Sequence, residues 1–310
     1  MTSKPSQSRR VALIAAGIAV IAVGAALAIP ALSGKKPAPA GSQAATTSNK
    51  GTVVAGTPLR IYATASPQGD IIRYVQTLAQ ADGTGLVLKL TTSGGSGALD
   101  SYELLANADT DVNFTGHQPY VNAWKAAHPT LDNYGGKATV LLNAFGLYST
   151  KYKSPADLPE GARILIPNEQ TNLPRALFIL QDLGLIKLNV ARLDSSPGAI
   201  GVSEKSIIDN PRQLKLIPTD TVLRAKALQD ADASFINGDV ALSNGVDPSR
   251  ALVREHTSDN PYANVIYARN DMLDDERLTL LAKYLTGPEV KQFIEANYRG
   301  FVVPAQKVIR

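Results

Sequence analysis

From Thr57 onward the chain alternates short β-type apolar runs with segments of helical period, and this rhythm limits the fold more than any other feature. Leu59-Arg60-Ile61-Tyr62-Ala63 reads as a strand. Ile71, Ile72, Val75, Leu78 and Ala79 then recur at helical spacing, and Leu86-Val87-Leu88-Lys89-Leu90 reads as the next strand, completing a βαβ unit. Further strands are predicted over 112–114, 138–142, 163–166, 214–217, 233–236 and 265–268, with helical segments between most of them. Asn172 is placed to cap a helix with Pro174 near its start, Arg175 in its first turn, Ala176, Leu177, Leu180 and Leu183 as its buried stripe, and Gly184 closing it. Near the C-terminus, Thr286-Gly287-Pro288-Glu289 separates two amphipathic helices. The order implies α/β architecture with largely parallel sheets.

With 310 residues, 44% of them apolar, the chain can bury a real core, and its length suits two domains. Its basic pI of about 9.1 misleads. Of 31 Lys and Arg, five (Lys4, Arg9, Arg10, Lys35 and Lys36) lie in residues 1–36, which hold no acid; the rest carries 26 basic against 27 acidic side chains. A nucleic-acid-binding stripe is therefore not expected. Zero cysteines exclude disulfides, thiolate nucleophiles and Cys-ligated metals.

Lys4, Arg9 and Arg10 precede an uncharged, mostly apolar run over 11–32, roughly 33 Å as a helix and long enough to cross a bilayer. Ala26-Leu27-Ala28 offers a small-x-small cleavage pattern, so residues 1–36 read as either an uncleaved anchor or a signal peptide. Residues 37–56, rich in Pro, Ala, Ser and Gly, read as a flexible linker. The globular part is expected outside the cytoplasm, held to the membrane by the N-terminal hydrophobic helix or secreted after cleavage.

Four polar runs follow or interrupt strand-like stretches, where open α/β sheets bind ligands: 113–120, 167–175, 236–239 and 260–264. Together they resemble the lip of one cleft, and no complete catalytic set stands among them. Read alone, Arg175 is a surface salt-bridge candidate, His117 a structural histidine, Phe114 a core residue, and Asn237 and Asn264 turn formers as readily as ligand contacts.

The segments VNFTGHQPYV, PNEQTNLPRAL, DLGLIKL, NPRQLKLI, FINGDVAL and NPYANVIYAR, in this order, resemble the methionine-binding lipoprotein family, the MetQ and NlpA type of solute-binding protein, over roughly residues 59–304. The resemblance implies a two-lobed periplasmic-binding-protein fold of type 2, with a hinge, that delivers an amino acid, usually methionine, to the permease of an ABC importer. Chain order then suggests a first lobe of 57–148 plus 256–310 enclosing a second of 149–255. By the same resemblance Arg175 grips the ligand's α-carboxylate with its planar fork, Asn172 adds an amide contact, and Phe114, His117 and Tyr120 face the cleft. Asn237 and Asn264 accept an ammonium or donate to a carboxylate.

Three departures accompany the resemblance. Thr115 and Gly116 stand where relatives commonly carry an aromatic and Gln. The run Thr92-Ser93-Gly94-Gly95-Ser96-Gly97-Ala98 replaces a stretch bearing a Tyr, leaving Gly95, Ser96 and Thr115 as candidate cleft wall and predicting a wider or wetter pocket. The lipid-attachment Cys is absent, so the apolar helix takes the anchor's place. No cofactor or metal is expected. A surface-anchored sensor or adhesion module of the same fold is an alternative. A hydrolytic enzyme using His117 with Asp109 or Asp111 is a weaker one, since neither a Gly-x-Ser-x-Gly elbow nor a His-Glu-x-x-His pattern occurs.

Overall fold

The computed structural model describes residues 56–93, 100–190 and 201–310. The predicted apolar helix over 11–32, the linker apart from Gly56, and the candidate wall residues Gly95 and Ser96 lie outside the described residues. Among the described residues no helix is long and apolar enough to cross a membrane.

Two sheets share the chain. Residues feeding the first are β1 (Leu59–Ala63), α1 (Gln68–Ala81), β2 (Leu88–Thr92), α2 (Ser101–Ala106), β3 (Val112–His117), α3 (Gln118–Ala127) and β4 (Tyr134–Asn143). Ala144 then passes the chain to β5 (Phe145–Tyr148), β6 (Arg163–Pro167), α4 (Leu173–Asp182), a small ladder of β7 (Lys187–Leu188) with β8 (Ile207–Asp209), β9 (Lys215–Thr219), α5 (Thr221–Lys226), β10 (Ala233–Asn237), α6 (Gly238–Ser243) and β11 (Ala251–Arg254). The chain returns through β12 (Asn264–Arg269), α7 (Glu276–Leu285), α8 (Pro288–Asn297) and β13 (Val302–Val308). The first sheet runs β13-β4-β12-β3-β1-β2 and the second β11-β5-β10-β6-β9.

The sheets are mixed rather than largely parallel. Neighbours joined by helical crossovers are parallel, as with β1 beside β2 and β3, and β6 beside β9 and β10. Strands that enter from or leave toward the other sheet need no such crossover and run antiparallel: β12 to β3 and β4, and β5 to β10 and β11. By sheet membership β5 belongs with the second group, so the passage between sheets falls at Ala144 and not after residue 148.

Helix α1 forms where apolar side chains repeat on one face: Ile71, Ile72, Val75 and Ala79 are buried, in a core shared with β1, β3, β4, α7 and α8. The second sheet has its own core, in which Phe145, Ile164, Ile166 and Phe235 meet Ala176, Leu177 and Leu180 of α4. A smaller cluster sets Phe301 against Tyr148, Ile236 and Ala241. Ala144 donates its N–H to the Phe301 carbonyl at 2.9 Å, and Glu255 donates to the Phe145 carbonyl at 2.9 Å, so both passages between sheets are tied together by backbone bonds.

Candidate ligand-binding cleft

The carboxyl ends of β1, β2, β3, β6 and β10 converge, as expected for parallel strands, whose ends leave loops free to hold a ligand. Between them is a cavity of about 320 Å³. Seven sequence-predicted residues line it: Thr115, His117, Tyr120, Asn172, Arg175, Asn237 and Asn264.

Phe114 does not join them. It is fully buried in the core beneath the first sheet, because strand alternation sends Val112 and Phe114 to one face while Asn113 and Thr115 share the other, where the Thr115 hydroxyl donates to Asn113 Oδ1 at 2.7 Å.

Arg175 sits in the first turn of α4 as its pattern requires, but its fork meets a carboxylate of the chain itself. Its Nε donates to Glu255 Oε2 at 3.2 Å and its Nη2 to Glu255 Oε1, with the two side chains only 3% and 5% exposed. The guanidinium carbon also lies 4.5 Å from the Phe145 ring and 4.4 Å from the Tyr262 ring, close enough for cation–π attraction. Asn172 occupies the cap position of α4 without a side-chain capping bond; its Oδ1 accepts from Arg175 Nη1 at 3.0 Å instead.

His117 ends β3 and caps α3, its Nδ1 accepting the Tyr120 N–H at 3.2 Å. Burial, reinforced by the positive charge of Arg175, holds its pKa down to about 3, so the ring is neutral near pH 7. With Nδ1 acting as acceptor, the proton sits on Nε2. Asn264 is buried, taking Gln68 Nε2 on its Oδ1 at 2.8 Å. Asn237 accepts on its Oδ1 from Arg224 Nη2 at 3.3 Å.

Four tyrosines and an aspartate complete the wall without having been read from sequence as site residues beyond Tyr120. Tyr102, from α2, reaches the space beside Gly116: a Cβ on that glycine would stand 2.6 Å from the Tyr102 hydroxyl. Its ring lies 5.7 Å from that of Tyr120, so aromatic surface returns to a wall that Thr115 and Gly116 thin out. Tyr62 and Tyr262 also line the cavity, and Asp239 does so from the start of α6. No local pattern marks Tyr102, whereas Asp239 stands within a polar run already singled out at the end of β10.

Asp111 is committed elsewhere. It receives Arg60 Nη2 at 2.6 Å and Nε at 3.1 Å at the far end of β3 from His117, roughly 20 Å away at about 3.3 Å per residue. The acid/base pairing considered for His117 with this residue is therefore not assembled.

Comparison with known proteins agrees with this geometry. Residues 59–306 match the family described as NlpA lipoprotein. The methionine-binding lipoprotein MetQ of Bacillus subtilis is 32% identical over 275 residues, covering 86% of this chain and 95% of the relative. Outer membrane lipoprotein 2 of Mannheimia haemolytica is 30% identical over 91% of this chain and 96% of its own. Among solved structures, a nutrient-binding protein from Burkholderia cenocepacia bound to methionine superposes with a TM-score of 0.70 at 30% identity, covering 80% of this chain and 99% of that one. Two mixed sheets with a cavity at their strand ends, and motifs matched along the whole described fold, place the chain in the NlpA lipoprotein family.

Proposed function

We propose that the chain is the extracytoplasmic solute-binding component of an ABC importer and captures an amino acid, methionine or a related ligand, between two lobes built on the two sheets. The observation that carries this is the convergence of His117, Asn172, Arg175, Asn237 and Asn264, from four separate stretches of sequence, on one cavity. A zwitterion asks for donors and acceptors in a confined space, and a cavity of about 320 Å³ walled by amides and tyrosine rings supplies both. The passages at Ala144 and between β11 and β12 act as the hinge, and ligand favours closure through contacts made only in the closed form.

Within that cleft Arg175 serves the carboxylate end through its field and its remaining N–H, since its other N–H groups are held by Glu255, Asn172 and the Asn143 carbonyl. Membrane attachment is assigned to residues 11–32, and the permease is the partner of the closed form.

Native mass spectrometry of the purified full chain, followed by calorimetry with L-methionine, D-methionine and the other amino acids, tests the reading. One bound amino acid, with matching heat on titration, is expected. A chain that carries none and gives no heat with any amino acid overturns it.

A further inference from the structure

The charges around the cavity do not balance. Two arginines serve it, Arg175 in the wall and Arg224 behind Asn237, and each already has a glutamate. Arg175 is paired with Glu255. Arg224 is wholly buried, 3.1 Å from Glu169 Oε2, and donates to the carbonyls of Thr219 and Phe235 at 2.8 Å. His117 is neutral. The charge left over is the carboxylate of Asp239, which lines the cavity, has no ion-pair partner among the described residues, and keeps one oxygen, Oδ1, shielded from solvent with no hydrogen-bond partner. Burial raises its pKa, outweighing the backbone N–H groups of its own turn and the more distant Arg175 charge, which favour the anion.

The neighbouring amides are sorted the other way. Arg224 donates to Oδ1 of Asn237 and Arg175 to Oδ1 of Asn172, so each amide oxygen already carries a cationic donor and the N–H groups are the side of each amide left to meet an anion. Gly238, between Asn237 and Asp239, holds this turn in place. A Cβ there would fall on the Phe301 carbonyl oxygen and stand 3.1 Å from the Ala144 nitrogen.

We propose that Asp239 receives the ammonium group of the cargo, and that Arg224, from outside the cavity, fixes Asn237 as a donor to its carboxylate. This rests on the amino-acid reading above and adds the polarity with which the cargo is read. The turn from β10 into α6 thus carries an acceptor for one end of a zwitterion and a donor for the other, two residues apart. Asp239 also stands in the first turn of α6, where an acid helps the helix, so the test must separate binding from folding.

Calorimetry on the full chain with three probes does so: L-methionine, 4-(methylthio)butanoate, which lacks the ammonium, and 3-(methylthio)propylamine, which lacks the carboxylate. Asp239→Asn is expected to weaken L-methionine and the amine at least tenfold and to leave the butanoate within twofold, while Asp239→Glu recovers part of the loss. Asn237→Asp and Arg224→Lys are expected to weaken L-methionine and the butanoate at least tenfold and to spare the amine. A purely structural role moves thermal unfolding and all three probes together, and that result overturns the assignment, as does unchanged L-methionine binding in Asp239→Asn. Wild-type chain that binds no amino acid overturns the functional reading itself, and this assignment with it.

Discussion

Arg175 and Glu255, 80 residues apart, form a buried two-point ion pair at the junction of the two sheets. Glu255 Oε1 also accepts the Phe145 N–H at 2.9 Å, so one carboxylate joins α4 to the start of β5 and to the segment leaving β11. Removing one member strands a charge in low dielectric, which typically costs about 3–5 kcal/mol, whereas replacing both with apolar groups of similar volume is often close to neutral. Glu255→Gln is therefore expected to lower unfolding free energy by several kcal/mol in urea titration, and Glu255→Leu combined with Arg175→Met to recover most of it. Additive losses in the double variant would show that the pair does not act as a unit.

Gly238 is the second point of tight fit. Its Cβ position is occupied by the Phe301 carbonyl, a backbone atom that cannot turn aside, so Gly238→Ala must displace either the β10–α6 turn or the segment after α8. Gly245, by contrast, has φ near +66° with open space around it. Gly245→Ala is expected to cost only the left-handed backbone penalty, about 1 kcal/mol. Thermal unfolding of the two variants should rank Gly238→Ala far below Gly245→Ala; equal midpoints would contradict the packing described for Phe301.

The contrast between these positions shows what the chain discloses before it folds. β6 and β12 announce themselves as unbroken apolar runs over 164–166 and 265–268, and β1 and β10 as runs interrupted once, by Arg60 and Ser234, since strands covered on both faces need no alternation. β13 does not, because Pro304 breaks the run; it is tolerated since β13 is an edge strand, paired only with β4. β5 is hidden by adjacency: only Ala144 parts it from β4, and its transfer to another sheet depends on β10 and β11, far along the chain. The site divides in the same way. That Arg175 opens a helix is legible from Pro174 and the stripe behind it. That its fork faces Glu255 is not, for neither residue's neighbours refer to the other. Phe114 is legible as core from its place in step with Val112 on β3, since strand alternation sends both to one face.

The N-terminus supplies a prediction independent of the cleft. If residues 11–32 anchor the chain in place of acyl groups, the protein recovered from membranes keeps its apolar run, and Edman sequencing or intact-mass analysis finds residues 1–36 present. A mature N-terminus beyond Ala28 would assign the run to a cleaved signal. Detergent extraction should then also be unnecessary.

His117 sets the acid limb of stability. Its pKa falls to about 3 in the folded chain through burial and then through the nearby Arg175 charge, while an unfolded histidine titrates near 6.5. Between these values the unfolded chain binds a proton that the folded chain refuses, so unfolding free energy rises with pH across the window and is complete above about 6.5. Acidification from pH 7 to 4.5 is expected to remove on the order of 2 kcal/mol on this account. His117→Gln, which retains an acceptor for the Tyr120 N–H, should flatten that limb while lowering stability at pH 7 only modestly. Ring resonances of His117 that stay fixed from pH 8 to 4.5, beside a steeper acid loss in wild type than in the variant, would bear this out. A ring titrating near pH 6 would mean that the imidazole reaches solvent and that the cleft around it is open.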